Sequence, residues 1–421
     1  MRPSFWILST GTELAQGRSR DTNSAEIARK LADLGFDVAG ISILPDDPEI
    51  ILAYLQWLQS RNDVTALIMT GGLGPTSDDH TIDVLARWTG SALIEDPTAL
   101  RRLEAFARLR RRIDIETARR QVRVLADADV IPNNTGLAPG VLGSALREGQ
   151  PLWYCALPGV PSEMRPMCDM AIDRLREKIH ATPVHRVEFH VYEEPESDFQ
   201  KTVFNDGGLA AYALKNDPAF RWGVAALPGS LKAFFEHETD ERLITELQQA
   251  VQAHYGERFL HRSVEELLPE WLLEKGITVS FAESCTGGLL AKTITDRSGS
   301  SAYFAGSAVT YSNQSKQDVL SVPEAILTTF GAVSEECALA MADGALKIFH
   351  ADAAVSVTGI AGPDGGTPEK PVGTVYSAIV TEGERIAFKL FYPMDRERVR
   401  EYTTRSILFR LYRFLQKRTG S

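Results

Sequence analysis

The feature that most restricts the fold is the regular alternation in the N-terminal part of the chain. FWILST, FDVAGISIL and VTALIMT read as strands, and the spacing of apolar residues between them predicts helices from about Ser24 to Leu34 and from about Pro48 to Gln59. Strands and helices in this order form a parallel βαβαβ layer. Local signals agree for the first helix: Asn23 is placed to cap its amides, Glu26 falls at the third helical position, and Gly35 follows as a terminator. In open parallel sheets ligands collect at the carboxyl ends of the strands, so GTEL after the first strand and GGLGPTSDD after the third are expected to line one crevice.

The remainder divides by pattern. NNTGLAPG (Asn133 to Gly140) and LPGVPSEM (Leu157 to Met164) are Gly- and Pro-rich loops returning to the first domain, expected to span 1–175. A small α+β connector is expected over 182–260, where RVEFHVY and LKAFFEHE read as strands and RLITELQQAVQAHY as an amphipathic helix. From 263 to 421 strands again alternate with helices: ITVSFA, FAGSAVTY, AAVSVTGI and VGTVYSAIV, with Asp395 capping a long C-terminal helix. The expected fold class is α/β, two layered α/β domains joined by the connector.

A chain of 421 residues exceeds one ordinary core, and 44% hydrophobic with 24% charged residues is the composition of a folded chain. There is no long apolar run for a membrane span, and the apolar stretch Phe5–Leu8 is too short for a signal peptide, so a cytoplasmic location is expected. The formal charge of -11 argues against non-specific nucleic-acid binding. RRLEAFARLRRRIDIETARRQVR (Arg101 to Arg123) is locally basic but has no interleaved aromatics for base stacking and reads as a solvated helix face. The four cysteines form no CxxC pair, which suits reduced thiols.

AESCTGG (Ala282 to Gly288) is the sharpest local signal: a strand stops at small polar residues and enters a helix through two glycines. Such a turn can present a nucleophile and backbone amides to one space. Ser284 is placed as that nucleophile, although Ser284 or Thr286 could equally serve as a helix cap, and Cys285 is a rival thiol. With no histidine in these loops, a lysine of depressed pKa is the natural base. Lys316 in YSNQSK competes with Lys292, whose helix position faces solvent, and Tyr311 is placed to bridge Lys316 to a serine or substrate. GIAGPDGG, with Gly359, Gly362, Asp364 and Gly365, can offer free amides to a phosphate or polar ring substituent. In TGGLGPTSDDH, Gly71, Gly72, Gly74 and Thr76 form an anion-binding turn beside Asp78 and Asp79, which would repel the anion without a divalent cation. Asp46 and Glu13 can reach the same crevice.

AESCTGG, YSNQSK, GAVSEE, GIAGPDGG and EKPVGTVY resemble, in order, the C-terminal domain of the CinA family, the nicotinamide mononucleotide deamidases. GTEL, DTNS, TGGLGPTSDD, NNTGLAPG and LPGVPSEM resemble its N-terminal domain, which is similar to molybdopterin-binding proteins. The resemblance covers nearly the whole chain and is weakest over the connector. It implies hydrolysis of the mononucleotide's carboxamide by Ser284 and Lys316, with Tyr311 relaying or orienting and the amides of Thr286, Gly287 and Gly288 holding the oxyanion, without a cofactor. For the N-terminal domain it implies ADP-ribose pyrophosphatase activity with magnesium, manganese or cobalt held by Asp78 and Asp79, and Asp46, placed after the second strand, is expected to join them. ELAQGRSRDTNS departs from the family pattern by placing Arg18 and Arg20 before DTNS. The partners implied are pyridine nucleotides and ADP-ribose, with no direct nucleic acid and no membrane, and a homodimer is the general expectation. The other readings are a molybdopterin- or nucleotide-binding module and a non-enzymatic competence or DNA-damage partner.

Overall fold

The computed structural model describes residues 2–109, 115–180 and 184–419, so Arg110 to Arg112 of the basic stretch and Thr182 at the expected start of the connector lie outside the described residues. The chain forms two compact units, Met1–Val184 and His185–Ser421, each an α/β assembly.

In the first unit a six-stranded sheet runs in the order Asp37–Leu44, Ser4–Thr10, Ala66–Thr70, Leu152–Leu157, Gly140–Ala145, Asp129–Ile131. The first four strands are parallel, Gly140–Ala145 runs against them, and Asp129–Ile131 pairs antiparallel to Gly140–Ala145. Ala66–Thr70 is buried at every residue, as a central strand covered on both faces must be. Alternate side chains supply two cores: Leu8, Leu67 and Met69 pack with Leu55 and Leu85 on one face, while Ile7, Ile68 and Cys155 pack with Ile27, Leu31 and Met167 on the other. After Ser4–Thr10 the chain crosses first to one neighbour and then to the other. The strand order therefore reverses there, and the loops that leave the carboxyl ends of Ser4–Thr10 and Ala66–Thr70 run in opposite directions, which opens a crevice between them.

Asn23 does not cap the first long helix. That helix spans Asn23–Asp33, and the Asn23 amide instead crosses the sheet end to donate to Gly159 O at 2.8 Å and Thr70 Oγ1 at 3.0 Å. Asp21 takes the first-turn role, its Oδ1 accepting from Ser24 N at 2.9 Å. Three of the described arginines of the basic stretch are paired with acids, Arg120 and Arg123 with Asp83 and Arg119 with Glu95, while Arg101 and Arg108 are exposed.

The second unit holds two sheets. Arg221–Leu227, Ser230–His237, His185–Tyr192 and Phe259–Leu260 form an antiparallel sheet over the helix Glu241–Tyr255. Phe304–Val309, Val279–Glu283, Ala353–Gly359, Thr374–Thr381 and Glu384–Phe391 form the other, whose first three strands are parallel. The segment expected as a separate connector is docked onto the helices Val264–Lys275 and Arg396–Thr419 of the C-terminal part. Tyr192 stacks on Phe409 at 4.4 Å between ring centroids, and its hydroxyl accepts from Val264 N at 2.8 Å. Arg413 of the helix Arg396–Thr419 donates to the carbonyls of Glu257 and Phe259. These groups lie far apart in sequence, so local pattern carries no sign of the docking.

Candidate functional site

The parallel strands Phe304–Val309, Val279–Glu283 and Ala353–Gly359 bring their carboxyl ends to one edge, which gathers Thr310, Tyr311, Ser284 and the loop after Gly359. Ser284 N bonds to Val357 O at 2.9 Å and Thr310 N to Glu283 O at 2.8 Å. The chain then reverses through left-handed Gly287 and Gly288, at φ 60° and 92°, into the helix Leu289–Thr295. A Cβ would strain both positions, which explains two glycines here.

Lys316 lies on the helix Asn313–Leu320, whose start is fixed by a capping box between Ser312 and Ser315. Its amine is 3.0 Å from Ser284 Oγ and 2.8 Å from Thr310 O. These are its two acceptors among the described residues, and no carboxylate is one of them. Lys316 is 1% exposed and Ser284 8%. Burial, with no anion to offset it, lowers the Lys316 pKa from the ordinary lysine value. Cys285 is pushed by burial in the other direction, to about 12, which leaves its thiol protonated and removes it as a nucleophile. Lys292 is exposed and paired with Asp296.

A residue that the motif reading passed over organises this turn. Glu283, fully buried, accepts from the amides of Gly288 at 2.9 Å, Leu290 at 3.1 Å and Ala291 at 2.9 Å, and from Ser307 Oγ at 3.3 Å. It caps the helix from within the strand, because Gly288 has no side chain to do so. The expectation that Gly287 and Gly288 present their amides to a substrate is therefore corrected: Gly288 N is bonded to Glu283, and Gly287 N to Ser284 O at 3.1 Å. The amides of Cys285 and Thr286 donate to no protein acceptor among the described residues. Arg400 holds the turn from behind, its guanidinium donating to Thr286 O at 2.8 and 3.0 Å.

Tyr311 does not bridge Lys316 and Ser284. It is 58% exposed, and its hydroxyl accepts from Arg396 Nη2 at 2.6 Å, while Arg396 Nη1 donates to Gly362 O at 2.8 Å. Arg396 thus ties Tyr311 to the loop containing Gly359, Gly362, Asp364 and Gly365 and makes both part of the rim. A Cβ on Gly359 would lie 2.8 Å from Thr374 O, so this glycine permits a close strand approach. The amides of Asp364 and Gly365 have no protein acceptor among the described residues.

In the first unit, a cleft of about 770 Å³ opens at the sheet reversal. It is lined by both predicted loops, including Glu13, Asp46, Gly71, Gly72, Gly74, Asp78 and Asp79. The backbone at Gly71 and Gly72 is left-handed, with φ 108° and 64°, and a Cβ on Gly71 would sit 2.3 Å from Thr10 O. The amides of Gly72, Leu73 and Gly74 have no protein acceptor among the described residues, which makes a concave donor surface. The predicted cation ligands do not form a cage. Asp79 Oδ2 accepts from Thr76 N at 2.8 Å and the Thr76 hydroxyl at 2.5 Å, Asp46 Oδ2 accepts from Thr12 N at 2.7 Å, and Asp78 is exposed. Among the described residues no three of His, Cys, Asp and Glu come together to hold a metal. Asp46, Asp79 and Thr76 brace loops, and Asp78 is not gathered with them into a cation cage. No helix among the described residues is long and apolar enough to cross a membrane.

Two family models match: the "CinA C-terminal domain" over residues 261–415 and the "Probable molybdopterin binding domain" over residues 6–177. A CinA-like protein of Leptospira interrogans is 39% identical over 423 residues, covering 99% of both chains. A CinA-like protein of Dictyoglomus thermophilum is 37% identical over 409 residues, covering 94% of this chain and 96% of the relative. Among solved structures, the competence/damage inducible protein CihA from Agrobacterium tumefaciens is 43% identical, with a TM-score of 0.35, and covers 37% of this chain and 98% of its own.

Proposed function

Since the chain belongs to the CinA family, with a molybdopterin-binding-like N-terminal domain, we propose that its C-terminal site hydrolyses the carboxamide of nicotinamide mononucleotide, giving nicotinic acid mononucleotide and ammonia. The observation that carries this reading is the 3.0 Å contact of Lys316 Nζ with Ser284 Oγ, in a buried setting that has no carboxylate for the amine. With one hydrogen directed at Thr310 O, the neutral amine turns its lone pair to the serine hydroxyl and takes its proton as Oγ attacks the amide carbon. The tetrahedral oxyanion is stabilised by the unengaged amides of Cys285 and Thr286. Collapse breaks the carbon–nitrogen bond, and the Lys316 ammonium returns the proton to departing ammonia. Water then attacks the ester, Lys316 accepts its proton, and the acid leaves with Ser284 restored. The pyridinium charge of the substrate draws electrons from the carboxamide and makes it a better electrophile. Purified chain is expected to release ammonia from nicotinamide mononucleotide; a folded protein that releases none overturns the proposal.

The N-terminal cleft favours a second reading, binding and cleavage of ADP-ribose at its diphosphate. The support is the run of free amides from Gly72 to Gly74 at the sheet reversal, where donors meet an anion without a side chain between. Calorimetric titration with ADP-ribose should give saturable heat, and its absence with and without a divalent cation would refute this reading.

A further inference from the structure

A cavity of about 430 Å³ lies within the unit His185–Ser421, and neither Ser284 nor Lys316 lines it. It forms where the turn between the strands Arg221–Leu227 and Ser230–His237 meets the edge strand Glu384–Phe391 and the helix Arg396–Thr419. Two of its lining residues carry polar groups that the protein leaves unanswered. Ser230 is 4% exposed, and neither its hydroxyl nor the buried Nε of Arg410 has a hydrogen-bond partner among the described residues.

The backbone brings these two groups to one wall. Ser230 pairs with Tyr192 across antiparallel strands, and the side chains of such a pair lie on one face. Tyr192 stacks on Phe409, so Ser230 faces the same helix. On that helix Ser406 stands four residues before Arg410 and shares its side. Gly229 packs against Ser406 so closely that a Cβ there would lie 3.1 Å from its Oγ. Glu193 then closes the wall: its N–H donates to Gly229 O at 3.2 Å, and its Oε1 accepts from Arg410 Nη2 at 2.6 Å. Glu193 is left-handed at φ 54°, a strained conformation for a residue with a Cβ, held where its carboxylate meets Arg410. With the Phe388 ring centroid 4.8 Å from the guanidinium, Arg410 is fixed in orientation.

A hydroxyl and a guanidinium N–H buried without partners cost free energy that a ligand in the cavity would recover. The other walls describe that ligand. The Tyr392 and Tyr402 rings, 5.6 Å apart and inclined at 52°, join buried Leu231 and Leu390 in a surface suited to a flat ring. Arg410 Nε–H requires an acceptor, and Ser230 Oγ, which accepts as well as donates, suits a donor beside it. Charge disfavours an anion, because Arg410 is already paired and Glu193, Glu194 and Glu196 outnumber it and Lys389 around the cavity. We propose that this cavity is a second ligand site, distinct from the Ser284 turn, for an uncharged aromatic heterocycle whose edge sets a hydrogen-bond acceptor beside a donor. The acceptor meets Arg410 Nε–H, the donor meets Ser230 Oγ, and the ring lies against Tyr392 and Tyr402. An aromatic carboxamide and an aminopurine both present that edge, whereas a pyridine carboxylate does not.

The test is equilibrium dialysis of the full chain against labelled nicotinamide, adenosine and nicotinate in separate runs. Nicotinamide or adenosine is expected to fill a saturable site that Ser230→Ala weakens by about tenfold, and which of them does so separates the carboxamide from the purine. Nicotinate should bind that site about tenfold more weakly than the better neutral probe. Because the Ser230 hydroxyl has no protein partner, Ser230→Ala should melt within about 2 °C of wild type or above it. Failure of both neutral probes to bind, or binding that folded Ser230→Ala leaves unchanged, overturns the proposal. So does nicotinate matching the neutral probes at the Ser230-dependent site. A Ser230→Ala melting temperature lowered by more than that margin overturns it as well, since the hydroxyl would then serve the fold.

Discussion

Replacing Glu283 by Gln tests whether an acid at the end of a strand builds the Ser284 turn. The carboxylate takes three backbone amides and one hydroxyl. In the better of the two Gln orientations, the new NH2 group faces Ala291 N, and Ser307 rotates to accept from it. One buried amide is then left without an acceptor, at about 1–3 kcal/mol, and the two bonds that remain lose their charge assistance, at roughly 1 kcal/mol each. The sum is about 3–5 kcal/mol. For a unit the size of His185–Ser421 this corresponds to a melting temperature lowered by roughly 10 °C. Because the helix start and the Ser284 backbone share this carboxylate, the folded variant should also lose up to about a hundredfold in deamidase kcat through misplacement of Oγ. Calorimetric melts and ammonia release at a temperature well below the transition measure the two effects separately. A melting temperature within about 2 °C of wild type, on the same scale, would refute the capping role.

The deamidase rate should rise with pH through the lowered Lys316 pKa, because the neutral amine is the base; a rate that falls over that range contradicts the assignment. The same lowering means that the unfolded chain holds more protons between the folded pKa and the ordinary lysine value, so this residue makes stability rise with pH across that window. Lys316→Met should remove that contribution, and melts at paired pH values measure it. Lys292→Met, altering an exposed pair, should leave turnover within about twofold. Iodoacetamide should not inactivate the native enzyme, since burial holds the Cys285 thiol near 12 and protonated; rapid inactivation with labelled Cys285 would reopen the thiol reading. A fragment His185–Ser421 should keep the deamidase, whereas one beginning at Glu265 should melt lower because it lacks Tyr192 against Phe409; equal melting temperatures would show that this docking contributes nothing.

Ser284 and Lys316 were legible because each sits in a short string whose residue types limit the chemistry, and the parallel strands that bring them together follow from apolar periodicity. Glu283 is adjacent to the serine yet has no comparable local signal. The available hint was a helix opening on Gly287 and Gly288, which lack a capping side chain and so require one from elsewhere. Arg396 and Arg400 reach the site from the C-terminal helix, and only the tertiary fold places them on Tyr311, Gly362 and Thr286. In the first unit the two loops of the cleft could be paired from topology. Which aspartate oxygens were already bonded could not: spacing does not distinguish Asp79, turned onto Thr76, from Asp21, whose Oδ2 has no donor among the described residues.

Ammonia release from nicotinamide mononucleotide by wild type, Ser284→Ala and Lys316→Met, each shown to be folded, bears most directly on the proposed Ser–Lys site. The wild type should turn over, and each variant should fall by roughly a thousandfold or more, since loss of either member removes the same proton-coupled attack. Ser284→Ala retaining near-wild-type turnover would contradict the acyl-enzyme route, and Lys316→Met retaining it would remove the amine from the reaction.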